Sequence, residues 1–296
     1  MSKLSYLGAV VCVVCGLAWQ QSRAIEPMPR PADGAVTNGA YKNKYFDLTY
    51  PLPSEWTEGL AGPDPSQYGY YVLTTLIPAG EFTGMIMIGA QDQFFAAKPF
   101  TDAGAMAREL GRETAKLEGI TVDRPASEVS IAGRSFSRID TSGFGLFNST
   151  WVAEIRCHLV SFNITAKADH ERADLARSLE KLTTARDRRD EGPDPVCVKN
   201  QADTKNLLTR VDPAPIAPFA PIPVRVIIGR DGGVKHASVV RGSPAQRASI
   251  ENALGQWKFK PPVIDGRPTD IETGLVIEFT AQGQVRYSTG DRMRDF

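Results

Sequence analysis

The stretch from Pro223 to Phe279 constrains the fold of this 296-residue chain most, because its strand, turn and helix signals follow one another without a gap. Val224, Val226 and Ile228 share one face of a strand, the period-two pattern of a half-buried element. Asp231-Gly232-Gly233 then marks a tight turn. The apolar residues that follow predict the second arm of a hairpin.

A helix is predicted directly after this hairpin. Ser243 is a favourable cap, Pro244 suits the first helical position, and Gln246 can reach back to the amide of the cap. Apolar side chains recur at i, i+4 and i+7 and share one face of the helix: Ile250, Leu254 and Trp257. This face is expected to pack on the hairpin.

Pro261-Pro262 prevents the helix from continuing, and a last strand is predicted over Ile271 to Phe279. The order strand, strand, helix, strand defines a small ββαβ domain at 223–282. Large aromatic side chains dominate the cores of small domains. The following residues are therefore assigned to its structural core rather than to a ligand site: Trp257, Phe259, Ile250 and Leu254.

Several short motifs of this stretch occur together in one known family. They are the strand and turn from Val224 to Gly233, the Ser243-Pro244 helix start, the run Gln256-Trp257-Lys258-Phe259-Lys260-Pro261, the turn Asp265-Gly266-Arg267-Pro268 and the last strand. Together they resemble the C-terminal domain of the TonB family of energy transducers. The resemblance implies a protein partner in the bacterial envelope, and self-association through the Ile271–Phe279 strand edge.

The first 24 residues have the pattern of a secretory signal peptide. Lys3 precedes an apolar run, and Ser22-Arg23-Ala24 offers small residues where a signal peptidase cleaves. An uncleaved anchor is the alternative, although the apolar run is shorter than the roughly 20 residues that span a bilayer. After cleavage no stable membrane anchor would remain, and 25–40 is predicted to be a flexible lead-in.

The segment 41–188 is predicted to be an α+β domain. Strands are expected at Tyr70 to Ile77 and Met85 to Gln91, and a helix between Thr101 and Gly119 with Asp102 as its cap. Ser149 to Ala166 is too long for one strand, so two strands with a turn near Arg156 to His158 are predicted. A second helix is expected to begin at Asp169.

The layout of this domain is similar to the PsbP-like fold, an antiparallel sheet with flanking helices. The residues that carry the similarity are Tyr45-Phe46-Asp47-Leu48-Thr49-Tyr50-Pro51, the first helix, Ile131-Ala132-Gly133-Arg134 and the strand and helix that end at Leu182. That fold serves unrelated binding roles, so no functional residue can be transferred from it.

The segment 189–222 is predicted to be a proline-rich linker. Proline stands at nearly every second or third position from Asp212 to Pro223, which is typical of a stiff, extended spacer. Two domains that fold independently are therefore expected. Residues 283–296 are predicted to form a polar tail.

Composition and motifs argue against several classes of function. The 34 basic and 34 acidic residues balance, so no electrostatic footprint for nucleic acid is present. His158, His170 and His236 lack partners at the spacing of metal ligands, and no catalytic motif occurs. No metal, no cofactor and no enzymatic activity are therefore predicted. The sequons at Asn148 and Asn163 are interpreted as ordinary strand residues.

Two cysteines remain after the predicted signal peptide, Cys157 and Cys197. Exported proteins meet an oxidising compartment, where a pair of cysteines favours a disulfide, and two free thiols are the alternative.

Three functions remain open from the sequence. The first is a periplasmic or secreted, non-catalytic protein that binds a partner through its TonB-like domain. The second is a TonB-type energy transducer coupled to an outer-membrane receptor, although the short apolar run, the short proline-rich arm and the intervening domain depart from that family. The third is an enzyme or small-ligand binder with a pocket in the first domain.

Overall fold

The structure is a computed structural model that describes residues 29–60, 62–183, 194–199 and 201–295. The predicted signal peptide lies outside the described residues. No helix within the described ranges is long and apolar enough to cross a membrane. We refer to residues 29–183 as the first unit and to residues 194–295 as the second unit, with the gaps just given.

The first unit contains ten strands, two α-helices and a short 3₁₀ helix within its described residues. They are β1 Ala35–Thr37, β2 Ala40–Asn43, β3 Leu48–Pro51, β4 Trp56–Glu58, β5 Tyr70–Pro78, β6 Gly84–Asp92, α1 Ala103–Thr114, β7 Ile120–Ile131, β8 Arg134–Gly143, β9 Leu146–Ile155, β10 His158–Ala166, α2 Asp169–Ser178 and the 3₁₀ helix Leu179–Lys181.

Seven of these strands form one antiparallel sheet in the order β4-β5-β6-β10-β9-β8-β7. One face of the sheet packs against α2 and the β1-β2-β3 sheet, and the other face packs against α1. The α+β class, with an antiparallel sheet between flanking helices, is confirmed. The lead-in at 25–40, which was predicted to be flexible, is ordered in part, because Ala35–Thr37 pairs with β2 in a hairpin.

Local sequence signals account for the main boundaries in this unit. The side chain of Asp102 accepts a hydrogen bond of 2.6 Å from the amide of Ala105 and caps α1. The predicted turn between β9 and β10 is formed by Arg156 and Cys157, both with positive φ. Two consecutive residues with positive φ produce the twist that a two-residue hairpin loop requires.

The second unit contains short strands around one long antiparallel pair. Its elements are β11 Val196–Cys197, a 3₁₀ helix Thr204–Asn206, β12 Leu207–Thr209, β13 Ile222–Ile228, β14 Val234–Val239, α3 Pro244–Leu254, β15 Lys258–Phe259, β16 Val263–Ile264, β17 Arg267–Pro268, β18 Ile271–Phe279, β19 Val285–Thr289 and a 3₁₀ helix Gly290–Asp295.

The predicted ββαβ order is formed by β13, β14, α3 and β18. Ser243 accepts a hydrogen bond of 3.2 Å from the amide of Gln246, and the Gln246 side chain accepts one of 2.9 Å from the amide of Ser243. This capping box satisfies two amides at the start of α3. In the preceding turn Gly232 has φ +83°, and a Cβ there would lie 2.0 Å from the carbonyl oxygen of Phe259. Only glycine fits that position.

The tail of the chain is more ordered than the sequence predicts. Strand β19 pairs antiparallel with β18, from Leu275 opposite Thr289 to Phe279 opposite Val285. Met293 in the last 3₁₀ helix is fully buried. A polar segment with few apolar residues is held in this way because β18 offers a whole row of backbone partners to it.

The proline-rich linker does not form a free spacer in the structure. It packs along α3, whose Gln246 amide donates to the carbonyl oxygens of Ile216 at 3.0 Å and Pro218 at 2.9 Å. Proline lacks an amide hydrogen, so each proline of this segment can offer only an acceptor. The donors come from the neighbouring helix, and periodicity within the linker could not show this.

The two units are packed against each other. Val240, Val276 and Met293 of the second unit belong to the hydrophobic core of the first. A Cβ added at Gly274 in β18 would lie 2.6 Å from Cβ of Phe94, so glycine permits this close approach. The sequence predicts two independent domains. The structure instead shows a shared core, and the exact domain boundaries stay a prediction.

Candidate functional site

Four charged or titratable side chains are buried where the units meet, and we call them the ionic joint: Asp92, His158, Arg225 and Glu272. Each is at most 3% exposed. Asp92 ends β6 and His158 begins β10, where the two residues stand opposite each other in the sheet. Arg225 lies on β13 and Glu272 on β18 of the second unit. The joint is therefore assembled from both units.

Arg225 is the centre of the ionic joint. Its guanidinium forms ion pairs with Asp92 and, at 2.9 Å, with Glu272. The Nε group also donates to Oε1 of Glu272 at 3.1 Å. Asp92 is held in turn by the amide of Phe94, which donates to Oδ1 at 2.8 Å. One cation of the second unit thus pairs with one carboxylate from each unit.

His158 takes part in the joint as a neutral ring. Its Nδ1 lies 2.7 Å from the carbonyl oxygen of Arg156, and because a carbonyl only accepts, Nδ1 carries the proton. Nε2 is then free to accept from Nη1 of Arg225 at 3.4 Å. Burial lowers the pKa of His158 well below 6.5, and the charge of Arg225 lowers it further.

Burial and ion pairing have opposite effects on the pKa values of Asp92 and Arg225. Burial raises the pKa of Asp92, and Arg225 partly offsets this increase. Burial alone would lower the pKa of Arg225, but Asp92 and Glu272 together raise it well above its usual value. Its two carboxylate partners therefore hold the arginine in its charged form.

Aromatic side chains close the joint from solvent. The hydroxyl of Tyr45 donates to Oε1 of Glu272 at 3.0 Å, and burial raises the pKa of this tyrosine well above 10.0. The guanidinium of Arg156 stacks 4.3 Å above the Tyr45 ring and donates to its carbonyl oxygen at 2.8 Å. The ring of Tyr71 packs edge-on against His158 at 5.8 Å.

The space beside the joint is too small for a substrate. A void of about 10 Å³ touches Tyr45, Arg225 and Glu272. Such a volume holds about one water molecule. The ionic joint can therefore fix the orientation of the two units, but it offers no room for a reaction at these charges.

The structure joins Cys157 and Cys197 in a disulfide beside the joint, with a Cα–Cα distance of 5.7 Å. That distance lies within the usual range for disulfides. Cys157 belongs to the β9–β10 turn of the first unit, and Cys197 to β11, which pairs parallel with β18. The bond is a covalent link between the units at the place where the ion pairs also link them.

The four side chains assigned to the core of the small domain are all buried, at 1% exposure or less: Trp257, Phe259, Ile250 and Leu254. The indole N–H of Trp257 donates to the carbonyl oxygen of Val211 at 2.7 Å. Its ring packs against Tyr287 with centroids 4.9 Å apart. The tryptophan thus contacts the linker, the helix end and the last strand, and its polar atom is satisfied.

A cleft of about 530 Å³ lies between the units at the start of α3, and we call it the inter-unit cleft. One wall is the segment 64–67 of the first unit. The other wall consists of residues 218–222 and 240–247 of the second unit, with Pro221, Arg241 and Arg247 among them. Ligand sites of this volume are common at domain interfaces.

Both edges of β18 are occupied, which bears on the predicted strand pairing. β13 covers one edge along Ile271–Ile277. β11 and β19 cover the other edge at Ile271–Glu272 and Leu275–Phe279. Self-association through Ile271–Phe279 would therefore require β11 or β19 to leave first. The outer strands of this sheet are β14 on one side and β11 and β19 on the other.

The remaining polar residues singled out from the sequence lie apart from the joint. His170 is in α2 and His236 in β14, so the three histidines do not come together. No group of three or more metal-ligating side chains occurs in the part of the chain that the structure describes. Asn148 and Asn163 are strand residues that bond to Thr165 and Thr150 respectively.

Sequence reasoning missed the ionic joint entirely. Arg225 stands in a run that is otherwise apolar, and all seven residues of β13 are buried. Such continuous burial shows that the sheet is covered on both faces. A charged residue inside an apolar strand run was the available signal, since a charge at such a position needs a buried partner.

Comparison with known proteins gives a family match for part of the second unit and several similar solved structures. The model of the family described as Gram-negative bacterial TonB protein C-terminal matches residues 221–281. The chain is also similar to the solution structure of cyanobacterial PsbP from Synechocystis sp. PCC 6803, at 15% identity and a TM-score of 0.35, over 50% of this chain and 91% of that one. At that TM-score the resemblance carries no argument about function. No curated protein matches the chain.

Proposed function

We propose that the protein is an exported, non-catalytic protein of the Gram-negative cell envelope that binds another protein through its second unit. The observation that carries this proposal is the family match over residues 221–281, which coincides with strands β13, β14 and β18 and with α3. Domains of this family mediate protein–protein interactions in the envelope. Strands β11, β12 and β19 of the second unit lie outside the matched residues and pair with strands inside them.

The disulfide supports export. Cys157 and Cys197 are bonded, and such bonds persist in oxidising compartments such as the periplasm and are rare in the cytosol. A protein that is folded around this bond at the junction of its two units is suited to the periplasm or the outside of the cell.

The joint favours a fixed binding platform over an energy transducer. An ion-pair network and a disulfide connect the units, and the linker packs on α3 instead of extending into solvent. A transducer needs a long arm to carry motion to its receptor, whereas this arrangement presents the second unit in one orientation. We therefore retain partner binding as the function.

The proposal is tested by capture and reconstitution. The mature full-length chain is immobilised and exposed to Gram-negative envelope extract, and each retained protein is purified and titrated against the chain. Saturable binding to one envelope protein is expected. Phe82→Ser, an exposed position on the first unit, should leave binding unchanged, whereas Arg241→Glu on the second unit should weaken it. Failure of every retained protein to rebind in purified form would contradict the proposal.

A further inference from the structure

Three side chains of the second unit hold the proline-rich linker by its backbone, and we call them the linker face: Gln246, Ser249 and Trp257. The indole N–H of Trp257 donates to the carbonyl oxygen of Val211 at 2.7 Å. The hydroxyl of Ser249 donates to the carbonyl oxygen of Ala214 at 3.1 Å. With the two carbonyls that the Gln246 amide binds, four carbonyls of the linker are held by three neutral donors.

Backbone geometry explains why a proline-rich segment fits the linker face. Val211 and Ala214 stand three positions apart, which is the repeat of a polyproline helix, so their carbonyls can lie on one side. A residue that precedes proline, as Ala214 does, is restricted to extended conformations. None of the four hydrogen bonds involves a linker side chain. The face thus recognises a type of backbone and not a particular sequence.

The charged side chains of α3 do not take part in this contact. Arg247 and Glu251 both bond to the backbone at 239–242, on the side of β14. Within the linker, Asp212 pairs with Arg210, whose guanidinium also lies 5.9 Å from the tryptophan ring of the face. Neutral hydrogen bonds therefore connect the linker to α3, and their strength should depend little on salt.

The linker covers its face loosely. Of residues 211–220, only Pro213 is buried and Ile216 is half-buried, and the other eight are exposed. Even the large ring of Phe219 is 49% exposed. A segment with so few buried apolar contacts opens more readily than the core of a protein. Its departure would leave three donors without acceptors, one of them on the buried Trp257, so another segment with suitable carbonyls would be favoured there.

We infer that the linker face binds a proline-rich segment of a partner protein, and that the chain's own linker occupies this face as an intramolecular ligand in the free protein. This inference rests on the proposed function, because it names the kind of segment that the second unit takes from its partner. Strands β12 and β13 hold both ends of the linker, so its effective concentration at the face is high. A free peptide should compete poorly with the intact linker and better with a weakened one.

The test uses calorimetric titrations of the mature full-length chain with synthetic peptides. The main probe has the sequence of residues 210–220 and blocked ends. Its matched control has glycine at each proline. The receiving chains are the unchanged protein and a loosened variant, Pro213→Gly with Pro215→Gly, which makes the linker more flexible but leaves every donor of the face in place.

The proline peptide is expected to bind the loosened chain at least about tenfold more tightly than the unchanged chain, and the glycine peptide should bind neither. Adding Gln246→Glu to the loosened chain should weaken binding about tenfold, because it keeps the acceptor that caps α3 and removes the amide donor. Gln256→Glu is the matched control, since Gln256 is exposed and its amide donates to Asn252 of α3. Its affinity should stay unchanged.

The inference is overturned if the proline peptide binds both chains equally, if it binds no better than the glycine peptide, or if binding survives Gln246→Glu. If the loosened chain dimerises as its concentration rises and the peptide dissolves the dimer, the occupant is a second copy and the assignment to a partner protein fails. A captured envelope protein whose affinity ignores Gln246→Glu sinks this inference alone, whereas absence of any rebinding partner sinks the proposed function.

Discussion

Replacing Arg225 by methionine is expected to destabilise the whole chain. The variant keeps much of the side-chain volume but removes the guanidinium that lies between Asp92 and Glu272. Both carboxylates are at most 2% exposed, so water cannot replace the lost partner. Breaking a buried ion pair in this way costs about 3–5 kcal/mol. We expect the upper part of that range, because one cation serves two carboxylates.

Urea unfolding followed by tryptophan fluorescence and circular dichroism measures the loss. Arg230→Met is the matched control, since Arg230 is 60% exposed in its ion pair with Asp270 and such pairs contribute about 0–1 kcal/mol. Adding Asp92→Asn and Glu272→Gln to Arg225→Met should recover part of the stability, because no unpaired charge then remains. A cost of less than about 1 kcal/mol for Arg225→Met would refute the reasoning.

Four further expectations follow from particular contacts. Gly274→Ala should cost about 1–3 kcal/mol in urea unfolding, because the new methyl group overpacks the interface. Trp257→Ala should cost about 3–5 kcal/mol by the same assay, and a folded variant that lost only a partner would make the tryptophan a contact residue instead. Loss of the Cys157–Cys197 bond should cost on the order of 4 kcal/mol, and alkylation before and after reduction checks that the bond is present. The depressed pKa of His158 gives stability that is present above pH 6.5 and is lost as pH falls through the folded-state value. A His158→Gln variant should therefore show a flatter dependence of Tm on pH below 6.5, and an unchanged slope would contradict the assignment.

The elements that the sequence predicts well are those specified by neighbouring residues. The cap of α1 at Asp102 and the capping box at Ser243 and Gln246 involve residues three positions apart. The turn at Arg156 and Cys157 is implied by the excessive length of a strand-rich stretch. In each case the physical cause lies in residues close together in the sequence, so the sequence displays it directly.

The features that the sequence does not reveal depend on distant partners. Asp92 and Arg225 are separated by 133 positions, and Tyr45 and Glu272 by 227. Arg225 within an apolar run indicates that a buried partner is needed, but no neighbouring residue identifies that partner. The linker was misjudged for a related reason, because its proline residues suit an extended spacer equally well in solvent and along α3.

The central claim is that the second unit, held by the ionic joint, binds a protein partner. Photocrosslinking in the cell envelope tests it most directly, with a photoreactive phenylalanine derivative in place of Ala220, which is exposed and lines the cleft, or in place of Phe82 on the first unit. We predict one discrete adduct with an envelope protein from position 220 and none from position 82. No adduct from position 220, or the same adducts from both positions, would contradict the account.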